Sequence, residues 1–262
     1  MMNRRNVLAA AILLILLSSL TGCAWWDNLW GREPRVRQTP EGLYQSGVEQ
    51  YRKGDYKKAI ASFTRVRDEY PLNPVALQAE LGIGDSYFEN EQYVDAEVAY
   101  AGFVELHPTN PNVPYAMYQL GMCHYHQMPT IDRDQSETQK ARREFERLIA
   151  RFPQSKFAIM AEKNLREVKQ RQAEHEFYIG EFYYRTKKYE AALKRFEALQ
   201  RNYANLGLDY KTNRYIEETK QRMKEEAGKK ATEAQKADEE RKAKAAKETK
   251  PQGNTSAQES KK

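Results

Sequence analysis

A glycine recurs every 37 residues through the middle of this chain, at Gly47, Gly84 and Gly121, and other residues recur with it. Counted from Gly47, Tyr56 stands at +9, Ala59 at +12, Phe63 at +16, Val66 at +19 and Pro71 at +24. From Gly84 the same offsets give Tyr93, Ala96, Tyr100, Phe103 and Pro108. From Gly180 they give Tyr189, Ala192, Phe196 and Leu199, with Ala204 in place of the proline. From Gly121 the frame slips by eight residues and resumes as Ala141, Phe145, Leu148 and Pro153. An aromatic follows each glycine by four: Tyr51, Phe88, Tyr125, Tyr184. A fixed period of about 20–50 residues marks stacked supersecondary units, none able to bury its apolar face alone. The small Gly and Ala let two helices approach closely. The apolar residues at +16 and +19 lie one helical turn apart and share a face. Proline closes the second helix.

This helix–turn–helix pattern is similar to the tetratricopeptide repeat, whose G…A…F…P order it follows. Three features depart from it. The period is 37 rather than 34, so each first helix is slightly long. The third repeat carries an insertion over about Met128 to Thr138, polar and with a proline, which reads as a surface loop suited to binding. Pro153 to Gly180 is 27 residues where the earlier repeats have 13. The 14 additional residues are helix formers without Gly or Pro, so one long helix, or two closely joined, leads into the fourth repeat. A fifth unit is expected from about Leu208 to Glu226. The expected fold is therefore all-α, a superhelix of about five repeats with a concave face.

The ends differ from the middle. Arg4 and Arg5 precede an apolar run from Val7 to Leu20, too short to span a bilayer and suited to a signal sequence. Leu20-Thr21-Gly22-Cys23 resembles the bacterial lipobox, in which the cysteine is acylated and begins the mature chain. Ala24 follows the cysteine; inner-membrane retention typically places Asp there, so the resemblance implies the outer membrane. Trp25, Trp26 and Trp30 either sit at the headgroups or pack on the domain. The expected organisation is a signal peptide over 1–22, a lipidated linker over 23–40, repeats 1–3 over 41–155, the long helix and repeats 4–5 over 156–226, and a basic low-complexity tail over 227–262. That tail holds no large apolar residue, so it is disordered or a solvated helix.

The net charge is +6, but the termini hold all of it and residues 23–226 are neutral. A neutral folded region argues against nucleic-acid binding. Mean hydropathy of −0.90 excludes a polytopic membrane protein. Once Cys23 is acylated, Cys123 is the one cysteine left, so no intramolecular disulfide is available. His124 and His126 invite a metal, but residues two apart on a helix point about 200° apart and cannot share an ion. No phosphate loop, nucleophile elbow or zinc-protease motif is present. The chain is expected to be a non-enzyme with no metal and no cofactor beyond the covalent lipid.

Leu106-His107-Pro108-Thr109-Asn110-Pro111, continuing to Tyr115 and Tyr118, resembles a junction of the BamD (ComL/YfiO) family of outer-membrane assembly lipoproteins. Asp132-Arg133-Asp134 in the third repeat and Tyr178 to Tyr184 after the long helix are similar to the same family. The resemblance implies anchoring at the periplasmic face of the outer membrane through Cys23, and a role in inserting β-barrel proteins. It implies a BamA-type barrel with POTRA domains as partner, gripped through Arg195, which on the residues alone is an ordinary exposed helix position. Other assembly-complex lipoproteins and unfolded outer-membrane proteins are the further partners it implies. The latter would present a terminal strand to a groove that includes Lys57 and Tyr70, although Tyr70 could equally be structural before Pro71. The alternative is another envelope repeat lipoprotein, such as a secretin pilotin or an adaptor for cell-wall hydrolases.

Overall fold

Helix starts and stops follow a shared chemistry. In the computed structural model residues 39–248 are described, and their regular structure is α-helical throughout. Cys23 and the three tryptophans lie outside the described residues, as does the chain beyond Glu248. The helices are α1 (Pro40–Arg52), α2 (Tyr56–Glu69), α3 (Pro74–Glu89), α4 (Tyr93–Leu106), α5 (Val113–His126), α6 (Ser136–Arg151), α7 (Lys156–Arg185), α8 (Tyr189–Asn202) and α9 (Asp209–Glu248). Thr39, Asn73 and Ser155 cap α1, α3 and α7 by accepting from the amides of Gly42, Val75 and Phe157. Each such cap is worth about 1 kcal/mol.

The second helix of each repeat ends on an aromatic residue. Tyr70, His107, Phe152 and Tyr203 all have φ between −135° and −125° and ψ between 35° and 56°. Each donates its amide to the carbonyl four residues back, on Val66, Phe103, Leu148 and Leu199. A following proline disfavours helical backbone in the residue before it. Tyr203 reaches the same conformation before Ala204, so the helix ends without a proline. The changed segment comes later, where Asn205 and Gly207 take positive φ of 64° and 87°.

The chain divides into two compact units after Asn90. In the first, α1 to α3 close around Phe63. A Cβ added at Gly47 would lie 2.6 Å from its ring, and one at Gly82 would lie 2.8 Å from it, so Phe63 sits between two glycine notches. Leu43, Ala59 and Val66 complete this core. The second unit repeats the lock twice. A Cβ at Gly121 would come within 2.5 Å of Phe145, and one at Gly180 within 2.6 Å of Phe196. The glycine thus fits the aromatic at +16 of its own repeat.

The segment 156–185 is one continuous helix of 30 residues. It buries Ala158, Ala161, Leu165 and Val168 early, and Ala173, Phe177 and Gly180 late. α9 then covers Phe177 and Phe196 with Tyr215, whose ring lies 5.2 Å from each. Ile216 is buried beside them. From Ala227 to Ala245 every residue of α9 is exposed, as expected of a helix with no apolar stripe. No helix among the described residues is long and apolar enough to cross a membrane.

Candidate partner-binding surface

The insertion in the third repeat is an ordered loop between α5 and α6. Gln135, 6% exposed, donates its amide to the carbonyls of Thr130 (2.9 Å) and Arg133 (3.0 Å). Its carbonyl accepts from the buried Thr138 hydroxyl at 2.8 Å. The Asp134 carboxylate accepts the Ser136 amide at 2.9 Å. Hydrogen bonds from Ser136 hold Asp134 below the usual carboxylate range. The loop is tied to α7 by His175, whose Nδ1 lies 2.6 Å from the Ile131 carbonyl. A carbonyl only accepts, so Nδ1 carries the proton.

Loop and helices enclose an open cleft of about 430 Å³. Asp132, Arg133 and Asp134 form one wall, Gln172, His175 and Glu176 of α7 another, and Tyr203 at the end of α8 a third. Arg142 of α6 braces it from behind. Its Nη1 donates to Gln172 at 3.3 Å and its Nε to Glu146 at 3.0 Å, where Lys169 also lies at 3.2 Å. Burial pushes the Tyr203 phenol above its ordinary range.

Arg195 adjoins this cleft through Glu176. Its Nη1 donates to the Glu176 carboxylate at 2.8 Å, and 43% of its side chain remains accessible. A guanidinium has five donors in a planar fork. One is committed to Glu176, which holds the side chain across α7 and leaves the rest of the fork for an acceptor from outside. The Asp132-Arg133-Asp134 loop, marked by the insertion, and Arg195, marked by the resemblance, therefore share one surface. Glu176 and His175 had no signal of their own: Glu176 is 19 residues from Arg195, on another helix.

Lys57 and Tyr70 are not brought together. They stand at opposite ends of α2, 13 residues apart, which is about 20 Å at the rise of an α-helix. Lys57 is exposed, and Tyr70 is half-buried in the helix-ending position that His107, Phe152 and Tyr203 also occupy.

His124 and His126 have separate environments. His124 is 2% exposed, with Nδ1 2.8 Å from Glu137 and Nε2 3.6 Å from Glu97. His126 stacks on Tyr93, ring centres 5.3 Å apart. Among the described residues no group of three or more His, Cys, Asp or Glu could hold a metal ion. Cys123 is buried, and burial pushes its thiol up to about 12, which makes it unreactive.

A family model described as an outer membrane lipoprotein, YfiO, matches residues 37–236. The chain belongs to the YfiO family. The outer membrane protein assembly factor BamD of Rickettsia prowazekii is 35% identical over 161 residues, 62% of this chain and 64% of that protein. The assembly factor BamD of Caulobacter vibrioides is 27% identical over 200 residues, covering 75% and 64%. That of Vibrio cholerae is 26% identical over 200 residues, covering 72% and 81%. This YfiO-family chain thus matches just under two thirds of the length of the first two relatives. The YfiO match takes in every helix from α1 to α8 and the packed part of α9. It stops at 236, inside the stretch of α9 that is wholly exposed. Membership associates the chain with the outer membrane.

Proposed function

We propose that this protein is a non-catalytic lipoprotein scaffold of the β-barrel assembly machinery. Cys23 carries the covalent lipid and anchors the chain at the periplasmic face of the outer membrane. The repeats bind the POTRA region of a BamA-type barrel, alongside other lipoproteins of the complex, and help deliver and insert outer-membrane proteins. Relatives named assembly factor BamD support this reading. The observation that carries it is the half-exposed Arg195, held in place by Glu176 beside the cleft of the Asp132–Asp134 loop.

A POTRA-domain carboxylate takes the free side of the Arg195 fork. Bidentate pairs of this kind fix orientation as well as adding energy. Exposed pairs at a rim contribute little, whereas removing one member of a desolvated pair costs about 2–5 kcal/mol. No cofactor is needed, because the work is binding and positioning. The terminal strand of an unfolded barrel protein runs along α2, with Lys57 meeting its carboxylate and Tyr70 lying at the far end. An extended peptide rises about 3.3 Å per residue, so about six residues cover the 20 Å between them. An adaptor for a secretin or a cell-wall hydrolase is the competing assignment, and no observation on the chain favours it.

The test is a detergent pull-down of the full-length tagged protein, wild type against Arg195→Glu. Co-purification of a POTRA-bearing barrel with wild type and its loss with the variant is the expected result. Equal recovery with both would remove Arg195 from the interface. Recovery of a secretin or hydrolase in place of the barrel would replace the whole reading.

A further inference from the structure

One helix has an outer face unlike its three counterparts. The second helices of the four repeats can be compared at equal distances from their glycines, with the eight-residue insertion of repeat three discounted. At +10, +14 and +22, α2 exposes Lys57, Ala61 and Glu69, α6 exposes Gln139, Arg143 and Arg151, and α8 exposes Glu190, Lys194 and Asn202. The same positions of α4 are Val94, Val98 and Leu106, exposed by 63%, 69% and 72%. Ala101 is exposed between them. Gly102 lies beside Ala101, and a Cβ there would meet nothing within 4 Å. Glycine inside a helix costs about 1 kcal/mol relative to alanine. Gly47, Gly121 and Gly180 each admit an aromatic ring, but Gly102 admits nothing from its own chain.

The charges carried by α4 itself and by its flanking turns are one-sided, the nearby cations Lys140 and Arg151 coming from α6. Between Arg67 and Arg133 there is no lysine or arginine, although the chain as a whole holds 43. Exposed Glu91, Asp95 and Glu105 flank the stripe. We propose that the outer face of α4 is a docking site for an amphipathic helix of a partner protein, with lysine or arginine flanking its apolar stripe. Val94 to Leu106 covers about 18 Å, the length of a three-turn helical contact. Val98, Ala101 and Gly102 let the partner's backbone approach closely, as small residues do where helices cross. The acidic rim selects a basic partner and rejects the other occupants. A second copy would bring the same carboxylates to its own rim. An anionic membrane surface would be repelled for the same reason. This inference goes beyond the Arg195 interface, which lies on other helices.

The experiment places a photo-crosslinking amino acid at Ala101 in the full-length, membrane-anchored protein and maps the adduct by mass spectrometry. The expected adduct lies in a protein segment whose apolar residues recur at helical spacing between lysines or arginines. Adding Val94→Lys and Val98→Lys should lower its yield about tenfold or more, since each valine buries apolar surface against the partner. Both sites are exposed, so an unchanged melting temperature checks that the fold is intact. An adduct with lipid, with a second copy, with residues 24–38 of this chain or with a segment lacking cations overturns the proposal. So does the absence of an adduct, or one that the double substitution leaves unchanged.

Discussion

The third and fourth repeats build the same core and finish it differently. In both, a glycine notch admits the aromatic at +16, at Gly121/Phe145 and at Gly180/Phe196. In the fourth repeat the turn is three residues, and Tyr184 and Tyr189 pack edge-to-face across it with centroids 5.7 Å apart. The first repeat does the same with Tyr51 and Tyr56 at 5.6 Å. In the third, the insertion removes the +9 aromatic, the buried Thr138 takes that place, and Tyr125 donates instead to Glu167 of α7. The lock within a repeat is thus independent of the turn that joins its helices. The turn is free to be lengthened, and the lengthened turn forms a wall of the candidate interface.

That independence gives the largest expected effects. Phe145→Ala and Phe196→Ala should each cost about 3–5 kcal/mol, the range for deleting a buried aromatic. Chemical denaturation of the full-length protein reads this as a shift in midpoint at constant slope. The comparison holds if the two losses agree within about 1 kcal/mol. It breaks if Phe145→Ala is much milder, because the insertion would then have loosened its repeat.

Gly121→Ala and Gly180→Ala come next. A methyl group at 2.5 or 2.6 Å from the ring forces Phe145 or Phe196 to shift. Overpacking of this kind costs about 1–3 kcal/mol. Gly102→Ala is the control: nothing lies within 4 Å of its Cβ, so better helix propensity should stabilise the isolated protein by about 1 kcal/mol.

The lock was legible in the sequence because it is periodic. Each glycine, alanine and aromatic recurs at fixed offsets, and prolines mark three of the four helix ends. The turns were less legible. Gly54, Glu91 and Lys187 all stand at +7 with φ of 78°, 58° and 60°, a left-handed position that only Gly54 announces. A charged side chain there costs about 1–2 kcal/mol and leaves no compositional mark. For α7, the absence of Gly and Pro could not separate one helix from two. Its buried residues, Ala158 through Gly180, show a single helix serving two repeats. The site was legible only in part. The loop holding Asp132-Arg133-Asp134 showed as a slip in the repeat frame, whereas Arg195 came from a resemblance. The ion pair with Glu176 and the bond from His175 to Ile131 link residues far apart in the chain, and periodicity carries no information about them.

Cys123 distinguishes the repeats through pH. It stands two residues after Gly121 and is fully buried; the matching Phe182 of the fourth repeat is 48% exposed. Burial raises the folded thiol to about 12, against about 8.5 in an unfolded chain. Above about pH 8.5 the unfolded state releases a proton that the folded state keeps, so this group withdraws stability as pH rises. By pH 10 the withdrawal should reach about 2 kcal/mol, at 1.36 kcal/mol per unit. Stability should fall more steeply from pH 8 to 10 in wild type than in Cys123→Ala, and parallel curves would show that the thiol is open to water.

The smallest effect tests what replaces the missing tyrosine pair. Tyr125 is pushed up to about 12, first by its hydrogen bond to Glu167. A phenol that donates to a carboxylate stabilises the protein only while it keeps its proton. Tyr125→Phe removes that donor and leaves the ring, so it should cost about 1 kcal/mol. Tyr184 of the fourth repeat is held instead through its ring, which packs edge-to-face on Tyr189 and on Tyr215 of α9 with centroids 5.7 and 5.3 Å away. Tyr184→Phe keeps both ring contacts, so its cost should be smaller. Tyr189→Leu should then cost more than Thr138→Val, because the aromatic pair in the fourth repeat does the work that Tyr125 and Glu167 do in the third. If Tyr125→Phe is neutral and the Thr138 site proves the more sensitive, the insertion is held from its buried Gln135–Thr138 end, and the bond to α7 contributes little to closing the third repeat.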